Sequence, residues 1–311
     1  MINVIVSVSV LVVVSITLFF LFKRVKTIYS SFTDLKGYTS FLNDIPYFTY
    51  TPGGITKIII KTSWHTRDHM PLQMIKTLKD TIKMNPEYTL YYFDHSDRKK
   101  FMKEYANASS NIYKIYKKLI PGAFQADLFR LCILEKYGGC YSDIGHILFK
   151  PLNKILGDNN IVLVKDIPFF SYFGIHNAFM CSSPSHQFFK KLVNKCCENI
   201  KNNYYGDNEL DVTGPTMIGK IYNCTFEKVC KSISKNIMKI GTTNFSEANC
   251  EYCKVKILDL KFLPLKFKKS FYILENGKII IQTKFDNYQN VMYGKQPSYK
   301  KLWEQRKIYK K

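Results

Sequence analysis

Hydrophobic positions along the chain alternate between short continuous runs and helically spaced stretches. The β-branched run Lys57–Lys61 lies between a Pro-Gly-Gly segment and a Thr-Ser pair, which predicts a buried strand. Pro71–Met84 has apolar residues at helical spacing, with a proline suited to the first turn. Further strands are predicted at residues 88–93, 140–143 with a continuation at 147–149, 161–164 and 178–181, and further helices at residues 97–106, 111–119, 123–137 and 185–200.

This order of elements predicts an α/β protein with a largely parallel sheet, because strands alternate with helices. A hairpin is predicted over Phe271–Gln282, around the Asn276-Gly277 pair. In sheets of this class ligands bind beyond the carboxyl ends of the strands. Asp94 and Asp143 both follow an apolar strand, where phosphate or metal chemistry is expected. A helix cap or a turn is the alternative role for each, and for Asp94 taken alone we favour that alternative.

The first residues of the chain form a long apolar segment. Residues 4–22 carry no charged side chain, and as a helix they would span about 29 Å, close to the ~30 Å hydrocarbon core of a bilayer. A cleaved signal peptide would have a basic start and a shorter apolar core. We therefore predict a transmembrane anchor at residues 1–22, a juxtamembrane stalk at residues 23–51 and one main domain at residues 52–311. A buried core helix is the alternative, and the orientation of the anchor stays open.

Composition and charge narrow the class of protein. Hydrophobic residues make up 46% and charged residues 23% of the chain, which is typical of a globular protein and excludes disorder or a multi-span membrane protein. The net charge of +22 would suit nucleic acid, a membrane surface or a phosphate-bearing ligand. Lys, Ile, Asn, Tyr and Phe are abundant together, however, as an AT-rich coding sequence would produce. We interpret the excess charge as solvated surface and expect no nucleic-acid partner, since no zinc finger, RRM or helix-turn-helix pattern is present.

The nine cysteines do not form a compact disulfide pattern. Cys250 and Cys253 are a lone C-x-x-C pair, and Cys224 and Cys230 lie upstream at irregular spacing for zinc. Free thiols are the favoured interpretation, ahead of one or two disulfides, with a zinc site third.

The clearest chemical pattern lies around the predicted helix 123–137. Asp127 and Arg130 are three residues apart on this helix and so share a face. A Gly138-Gly139 pair ends the helix, and the strand that follows delivers Tyr141 and Asp143. A structural ion pair is one interpretation. A nucleotide-sugar site is the other, because carboxylates hold ribose hydroxyls, arginine pairs with phosphate, and an aspartate holds a divalent cation.

The pattern A-D-x-x-R followed by G-G-x-Y-x-D resembles glycosyltransferase family 32, the DXD sugar-binding type. The resemblance extends from about residue 55 to residue 309. It is supported by further segments at Ile55–Trp64, Asn85-Pro86 with Tyr91–Asp94, Asn177-Ala178, Thr213–Pro215 and Tyr299–Trp303.

The resemblance implies a GT-A fold, with a Rossmann-like mixed sheet flanked by helices. It also implies a nucleotide-sugar donor, a glycan, lipid or protein acceptor, retention of anomeric configuration, Mn²⁺ or Mg²⁺ as cofactor, and a Golgi- or ER-type membrane. Asp127 would contact the donor sugar or ribose, and Arg130 the sugar or phosphate. Carried over to this chain, the catalytic residues are Asp127, Arg130 and Asp143, and the donor-binding residues are Trp64, Asp94, Tyr141, Asn177 and Trp303.

One position departs from the family pattern. The second Asp of the DXD motif is Gly145 here, within Asp143-Ile-Gly-His146. Asp143 alone could hold the metal, with water and the diphosphate completing its shell. His146 could replace the missing ligand, although a hard diphosphate site prefers oxygen and regular strand alternation would turn His146 away. The third interpretation is that the metal, and with it the activity, is lost.

Three functions follow in order of preference. The first is a membrane-anchored glycosyltransferase, with residues 4–22 in the membrane. The second is an inactive relative that binds a nucleotide-sugar or glycan, which Gly145 motivates. The third is a nucleic-acid-binding protein, which only the net charge supports.

Overall fold

A computed structural model of the chain describes residues 54–106, 111–167, 174–227, 254–265, 268–292 and 298–310, together with Ser15 and Thr17. The predicted anchor and stalk lie outside the described residues, except for those two positions. In the part of the chain that the structure describes, no helix has the length and apolar character needed to cross a bilayer.

Nine strands and nine α-helices are described. The strands are β1 (Ile58–Thr62), β2 (Thr89–Phe93), β3 (Gly139–Ser142), β4 (Ile147–Leu148), β5 (Ile161–Lys165), β6 (Phe179–Ser182), β7 (Val255–Leu265), β8 (Lys268–Glu275) and β9 (Lys278–Gln282). The helices are α1 (Leu72–Met84), α2 (His95–Ala106), α3 (Ile112–Lys118), α4 (Gly122–Tyr137), α5 (Leu152–Leu156), α6 (Gln187–Lys201), α7 (Pro215–Tyr222), α8 (Tyr288–Met292) and α9 (Tyr299–Glu304). The helices and strands predicted from the sequence agree with these bounds to within about three residues.

The strands form one mixed sheet in the order β2-β1-β3-β6-β5-β7-β8-β9-β4. The prediction of an α/β protein with helices flanking a mixed sheet is confirmed, but the expectation of a largely parallel sheet is wrong. Only the pairs β1/β2, β1/β3 and β5/β7 are parallel. The reason is that β6 returns antiparallel between β3 and β5, and β8, β9 and β4 continue the sheet in antiparallel pairs. The predicted hairpin is present as β8 and β9, with positive φ at Asn276 and Gly277 as such a tight turn requires.

The expected continuation of β3 into residues 147–149 is also wrong. β3 ends at Ser142, and a turn follows in which the backbone N–H of His146 donates to the carbonyl of Asp143 at 3.0 Å. Ile147 and Leu148 then pair with β9 and form the last strand in the sheet order. Six inter-strand spacings separate β3 from β4, roughly 29 Å in a flat sheet, whereas the connecting residues reach at most about 18 Å. The sheet therefore curls back on itself, and the Asp143–His146 turn bridges its two parts.

Hydrophobic side chains cover both faces of the sheet. Ile58 and Ile60 of β1 pack into a cluster with α2, α3, α4, α6 and α7. Ile59, on the other face, packs into a second cluster with α1, α5 and α8. A three-layer arrangement of this kind buries each strand on both sides, which is why β1 is a continuous apolar run rather than an alternating one.

The six described cysteines are free thiols: Cys132, Cys140, Cys181, Cys196, Cys197 and Cys224. Cys230, Cys250 and Cys253 lie outside the described residues. Cys140 and Cys181 are opposite each other on β3 and β6, with their sulfur atoms 2.9 Å apart in the buried core.

The parallel strands β1, β2 and β3 end together at one edge of the sheet. Thr62 lies opposite Phe93 in the register of β1 and β2, and Ile60 lies opposite Tyr141 in the register of β1 and β3. Asp94 and Asp143 are the next residues after β2 and β3. Both acids therefore emerge at the edge where α/β sheets bind ligands.

Candidate functional site

Helix α4 and the turn after it place the acidic and basic residues of the site. Pro121 precedes the helix, and Gly138 ends it with φ of 66° and its N–H bonded to the carbonyl of Leu134 at 2.9 Å. Gly139 has φ of 88°, and a Cβ there would lie 2.2 Å from Cγ1 of Ile58. Only glycine fits both the backbone conformation and this contact. The Gly-Gly pair thus allows β3 to start directly beside β1.

Asp127 is held in one orientation by two neutral donors. Asn177 Nδ2 donates to Oδ1 at 2.9 Å, and Thr213 Oγ1 donates to Oδ2 at 2.7 Å. Burial raises the pKa of Asp127, while the charge of Arg130 and these two hydrogen bonds partly counteract that effect. The carboxylate therefore presents a fixed face to the site.

Arg130 connects the acids of the site. Its Nη2 lies 3.5 Å from Oδ1 of Asp127, and its Nη1 lies 3.8 Å from Oδ1 of Asp143. Nη1 also donates to the carbonyl of Asn177 at 2.7 Å, and the guanidinium stacks 4.6 Å from the ring centroid of Tyr141. Burial would lower the pKa of Arg130, but Tyr141 and the two acids outweigh burial and raise it. A fully charged, positioned guanidinium results.

Asp143 lies at the mouth of the cluster. The side chain is 29% exposed, and Tyr141 donates its hydroxyl to Oδ1 at 2.8 Å. The backbone of Asp143 is held by Lys61, which is fully buried. Nζ of Lys61 donates to the carbonyl of Asp143 at 3.0 Å and to Ser142 Oγ at 3.2 Å. Burial lowers the pKa of Lys61 to about 8. The backbone that carries the partly exposed Asp143 carboxylate is therefore fixed in position.

The residues after Asp143 determine whether a second ligand is available for the metal that the resemblance implies. His146 is buried, its Nδ1 lies 3.1 Å from Ser142 Oγ, and burial together with Lys61 keeps its pKa well below the usual range. Its ring faces the interior beneath the turn, not the exposed carboxylate of Asp143. Gly145 brings no ligand, and a Cβ there would lie 2.5 Å from Cε2 of Tyr288.

The side chains around Asp143 therefore do not supply the set of ligands that a divalent cation needs. Hard cations such as Mn²⁺ and Mg²⁺ prefer several oxygen ligands. Asp143 is already hydrogen-bonded to Tyr141 and close to Arg130, and both carboxylate oxygens of Asp127 already accept from Asn177 and Thr213. Across the described ranges, no group of three or more His, Cys, Asp or Glu side chains is arranged to hold a metal ion. The donor set does not fit the two-carboxylate metal site of the DXD pattern.

Asp94 and the two tryptophans have hydrogen-bond partners outside this cluster. Oδ1 of Asp94 accepts from the N–H groups of Ser96 and Asp97 at 2.8 and 3.0 Å, as a cap of α2 does. Trp64 follows β1 and is 52% exposed, with its indole N–H bonded to the carbonyl of Met292. Trp303 on α9 donates its indole N–H to the carbonyl of Tyr205 at 2.7 Å. Asp127, Arg130, Tyr141, Asp143 and Asn177 are the predicted site residues that the fold brings into mutual contact.

Four residues of this edge were not singled out from the sequence. Lys61 had a weak signal, as a charged residue ending a buried strand. Thr213 was named only as part of a short motif. Lys284 and Tyr288 had no local signal, because their proximity to the Asp143–His146 turn depends on the curling of the sheet.

Comparison with known proteins agrees with the sequence pattern. Residues 71–162 match the family model of the glycosyltransferase sugar-binding region containing a DXD motif. The chain is 28% identical over 182 residues to the mannosyl phosphorylinositol ceramide synthase CSH1 of Saccharomyces cerevisiae. That alignment covers 57% of this chain and 44% of the yeast protein, so the chain spans less than half the length of this relative. Among solved structures, the PaToxG glycosyltransferase is similar, with 16% identity, coverage of 59% of this chain and 74% of the other, and a TM-score of 0.40.

The matched region contains Asp94, Asp127, Arg130 and Asp143. The family match and the yeast relative confirm the predicted resemblance and the enzyme class together. Residues 71–162 are thus similar to the sugar-binding region of glycosyltransferases of the DXD type.

Proposed function

We propose that this chain transfers a hexose from a nucleotide-sugar to a hydroxyl group of a glycan, lipid or protein, with retention of anomeric configuration. The observation that carries the proposal is the contact between Arg130 and two acids, Asp127 and Asp143, at the edge where β1, β2 and β3 end. A guanidinium between two oriented carboxylates suits a ligand that combines phosphate with sugar hydroxyls.

The roles of the three residues follow from their exposure and orientation. Arg130 pairs with the donor diphosphate and stabilises the negative charge that grows on it as the sugar departs. Asp127, fixed by Asn177 and Thr213, accepts hydrogen bonds from the sugar or ribose hydroxyls. Asp143, at the mouth, stabilises the positive charge that develops on the sugar ring. No separate base is needed, because the departing phosphate accepts the proton of the acceptor hydroxyl.

The name of the yeast relative suggests the first donor and acceptor to test. That protein is a mannosyl phosphorylinositol ceramide synthase, so GDP-mannose and a phosphorylinositol ceramide come before UDP-hexoses and glycans. We further propose that residues 4–22 anchor the chain in a Golgi- or ER-type membrane and that residues 52–311 form a GT-A domain after the stalk at residues 23–51.

A second candidate function is binding of a nucleotide-sugar without transfer. Gly145 favours it, because the second acid of the DXD pattern is replaced and its place is filled by the ring of Tyr288.

Donor hydrolysis by the full chain in detergent separates the two candidates. GDP-mannose, UDP-galactose, UDP-glucose and UDP-N-acetylglucosamine would be offered with and without a phosphorylinositol ceramide, and released GDP or UDP measured. Release that is lost in Asp127→Asn and kept in Asp158→Asn, an exposed control, supports transfer. Donor binding by calorimetry without release under any condition supports the binding function. No binding of any donor contradicts both.

A further inference from the structure

The space beside Gly145 is taken up by residues 283–288. A Cβ on residue 145 would meet Cε2 of Tyr288 at 2.5 Å, Cδ2 at 2.8 Å and the carbonyl oxygen of Thr283 at 3.0 Å. These contacts leave no room for an aspartate side chain. Residues from a distant part of the chain therefore occupy the space that the side chain of the second acid would need.

The same segment brings a cation to this position. Lys284 directly follows Thr283, and its Nζ lies 5.7 Å from the ring centroid of Tyr288. The charges of Lys284 and Arg130 both act on His176, whose pKa is lowered by burial and by these two cations. Lys284 therefore lies beside the Tyr288 ring that packs on Gly145, and its charge, like that of Arg130, reaches His176.

A divalent cation would be poorly placed among these charges. Nη1 of Arg130 already lies 3.8 Å from Oδ1 of Asp143. The backbone carbonyl of Asp143 also accepts a hydrogen bond from Nζ of the buried Lys61. A metal ion bound to Asp143 would be repelled by these neighbours. An anionic diphosphate in the same place would be attracted by them.

We propose, on the basis of the proposed function, that Lys284 and Arg130 hold the donor diphosphate in place of a divalent cation. Arginine binds phosphate in a bidentate way and lysine acts as a point charge. In the transfer step the bond between the anomeric carbon and the β-phosphate oxygen breaks, and its electron pair stays on the phosphate. The anomeric carbon bonds to the acceptor oxygen, and the acceptor proton moves to the departing phosphate. The two cations stabilise the charge on that phosphate.

Binding of GDP and UDP to the full chain, measured by calorimetry in EDTA and in Mn²⁺, tests the proposal without relying on turnover. We expect the dissociation constant of the tighter nucleotide to differ by less than about twofold between the two buffers. Lys284→Gln should weaken binding about tenfold, equivalent to ~1.4 kcal/mol. Lys284→Arg should stay close to the unaltered chain, and Lys190→Gln, an exposed lysine on α6, serves as the matched control.

The outcomes separate this proposal from the proposed function. Binding that requires Mn²⁺, or that is unchanged in Lys284→Gln, overturns the role of Lys284 and leaves the glycosyltransferase proposal standing. Failure of both nucleotides to bind in either buffer overturns the nucleotide-sugar site, and the role of Lys284 falls with it. A lysine substitution at a partly exposed position leaves the core intact, and circular dichroism of each variant verifies this.

Discussion

Tyr288 packs directly over Gly145, so closely that the ring and a Cβ on residue 145 would occupy the same space. Tyr288 is 8% exposed and makes an edge contact with Phe285 at 5.2 Å between ring centroids. The ring is thus held from both sides and has little freedom to move away. Residue 145 and residue 288 form a matched pair in which one is small because the other is large.

Gly145→Ala should destabilise the chain by about 1 to 3 kcal/mol, because the added methyl overpacks the site against a fixed ring. The free energy of unfolding in urea measures this effect. Gly122→Ala is the control, since a Cβ at Gly122 meets nothing within 4 Å and alanine favours the helix. Equal stability of the two variants would contradict the packing described here. In a Tyr288→Ala background the cost of Gly145→Ala should disappear.

Thr213→Val should shift the acid side of the rate profile to higher pH. The Thr213 hydroxyl lowers the pKa of Asp127, so its removal leaves burial less opposed and raises that pKa. Catalysis that needs the ionised carboxylate is then lost at a higher pH, and kcat/KM on the acid side of the profile should fall about tenfold. The measurement is donor hydrolysis as a function of pH. Thr213→Ser keeps the hydroxyl and should keep the profile; an unshifted acid side in Thr213→Val would exclude this role for the hydrogen bond.

Glu275→Gln should destabilise the chain by about 1 to 3 kcal/mol at neutral pH. Glu275 is 12% exposed and pairs with both Lys150 and Lys256. Burial would raise the pKa of Glu275, but the two lysines outweigh burial and lower it. The stabilisation is therefore present above the unfolded-state pKa near 4.5 and is lost as pH falls through the folded-state value.

Urea unfolding at neutral and acidic pH measures this dependence. The difference between Glu275→Gln and the unaltered chain should shrink as the pH is lowered. Glu198→Gln, in the exposed Lys195–Glu198 pair, should change stability by less than about 0.5 kcal/mol. A pH-independent difference for Glu275→Gln would mean that shape, not charge, determines its contribution.

Thiol labelling should divide the described cysteines into two groups. Burial raises the pKa of Cys132, Cys181 and Cys196 well above the usual range, whereas Cys224 is exposed. Iodoacetamide reacts with the thiolate, so Cys224 should be alkylated in the native protein and the other three only after unfolding. Peptide mass spectrometry assigns each site. Labelling of Cys132 as fast as Cys224 would show that α4 is not packed as described.

The central part of the site could be predicted because its information is local. Asp127 and Arg130 share a helix face by spacing alone, and a Gly-Gly pair followed by a strand brings Tyr141 and Asp143 to the same edge. The alternation of strands and helices likewise predicted the α/β class, although it wrongly indicated a largely parallel sheet.

The remaining features depend on pairings between distant segments. Residues 147–149 have the pattern of a strand continuing β3, and only their pairing with β9 shows that a turn intervenes. The proximity of Lys284 and Tyr288 to Gly145 follows from that pairing, so no local pattern could have indicated it. Thr213 illustrates an intermediate case, since its motif was visible but its contact with Asp127 was not.

The short connection between β3 and β4 also determines the order in which the molecule can be assembled. β4 has its partner in β9, which is synthesised long after the segment that contains Asp127 and Asp143. Until residues 278–282 leave the ribosome, the Asp143–His146 turn is secured on one side only. Long-range pairing of this kind is slow, because a large loop must close before any contact is gained. Asp127 and Asp143 are therefore synthesised well before they can reach their final geometry.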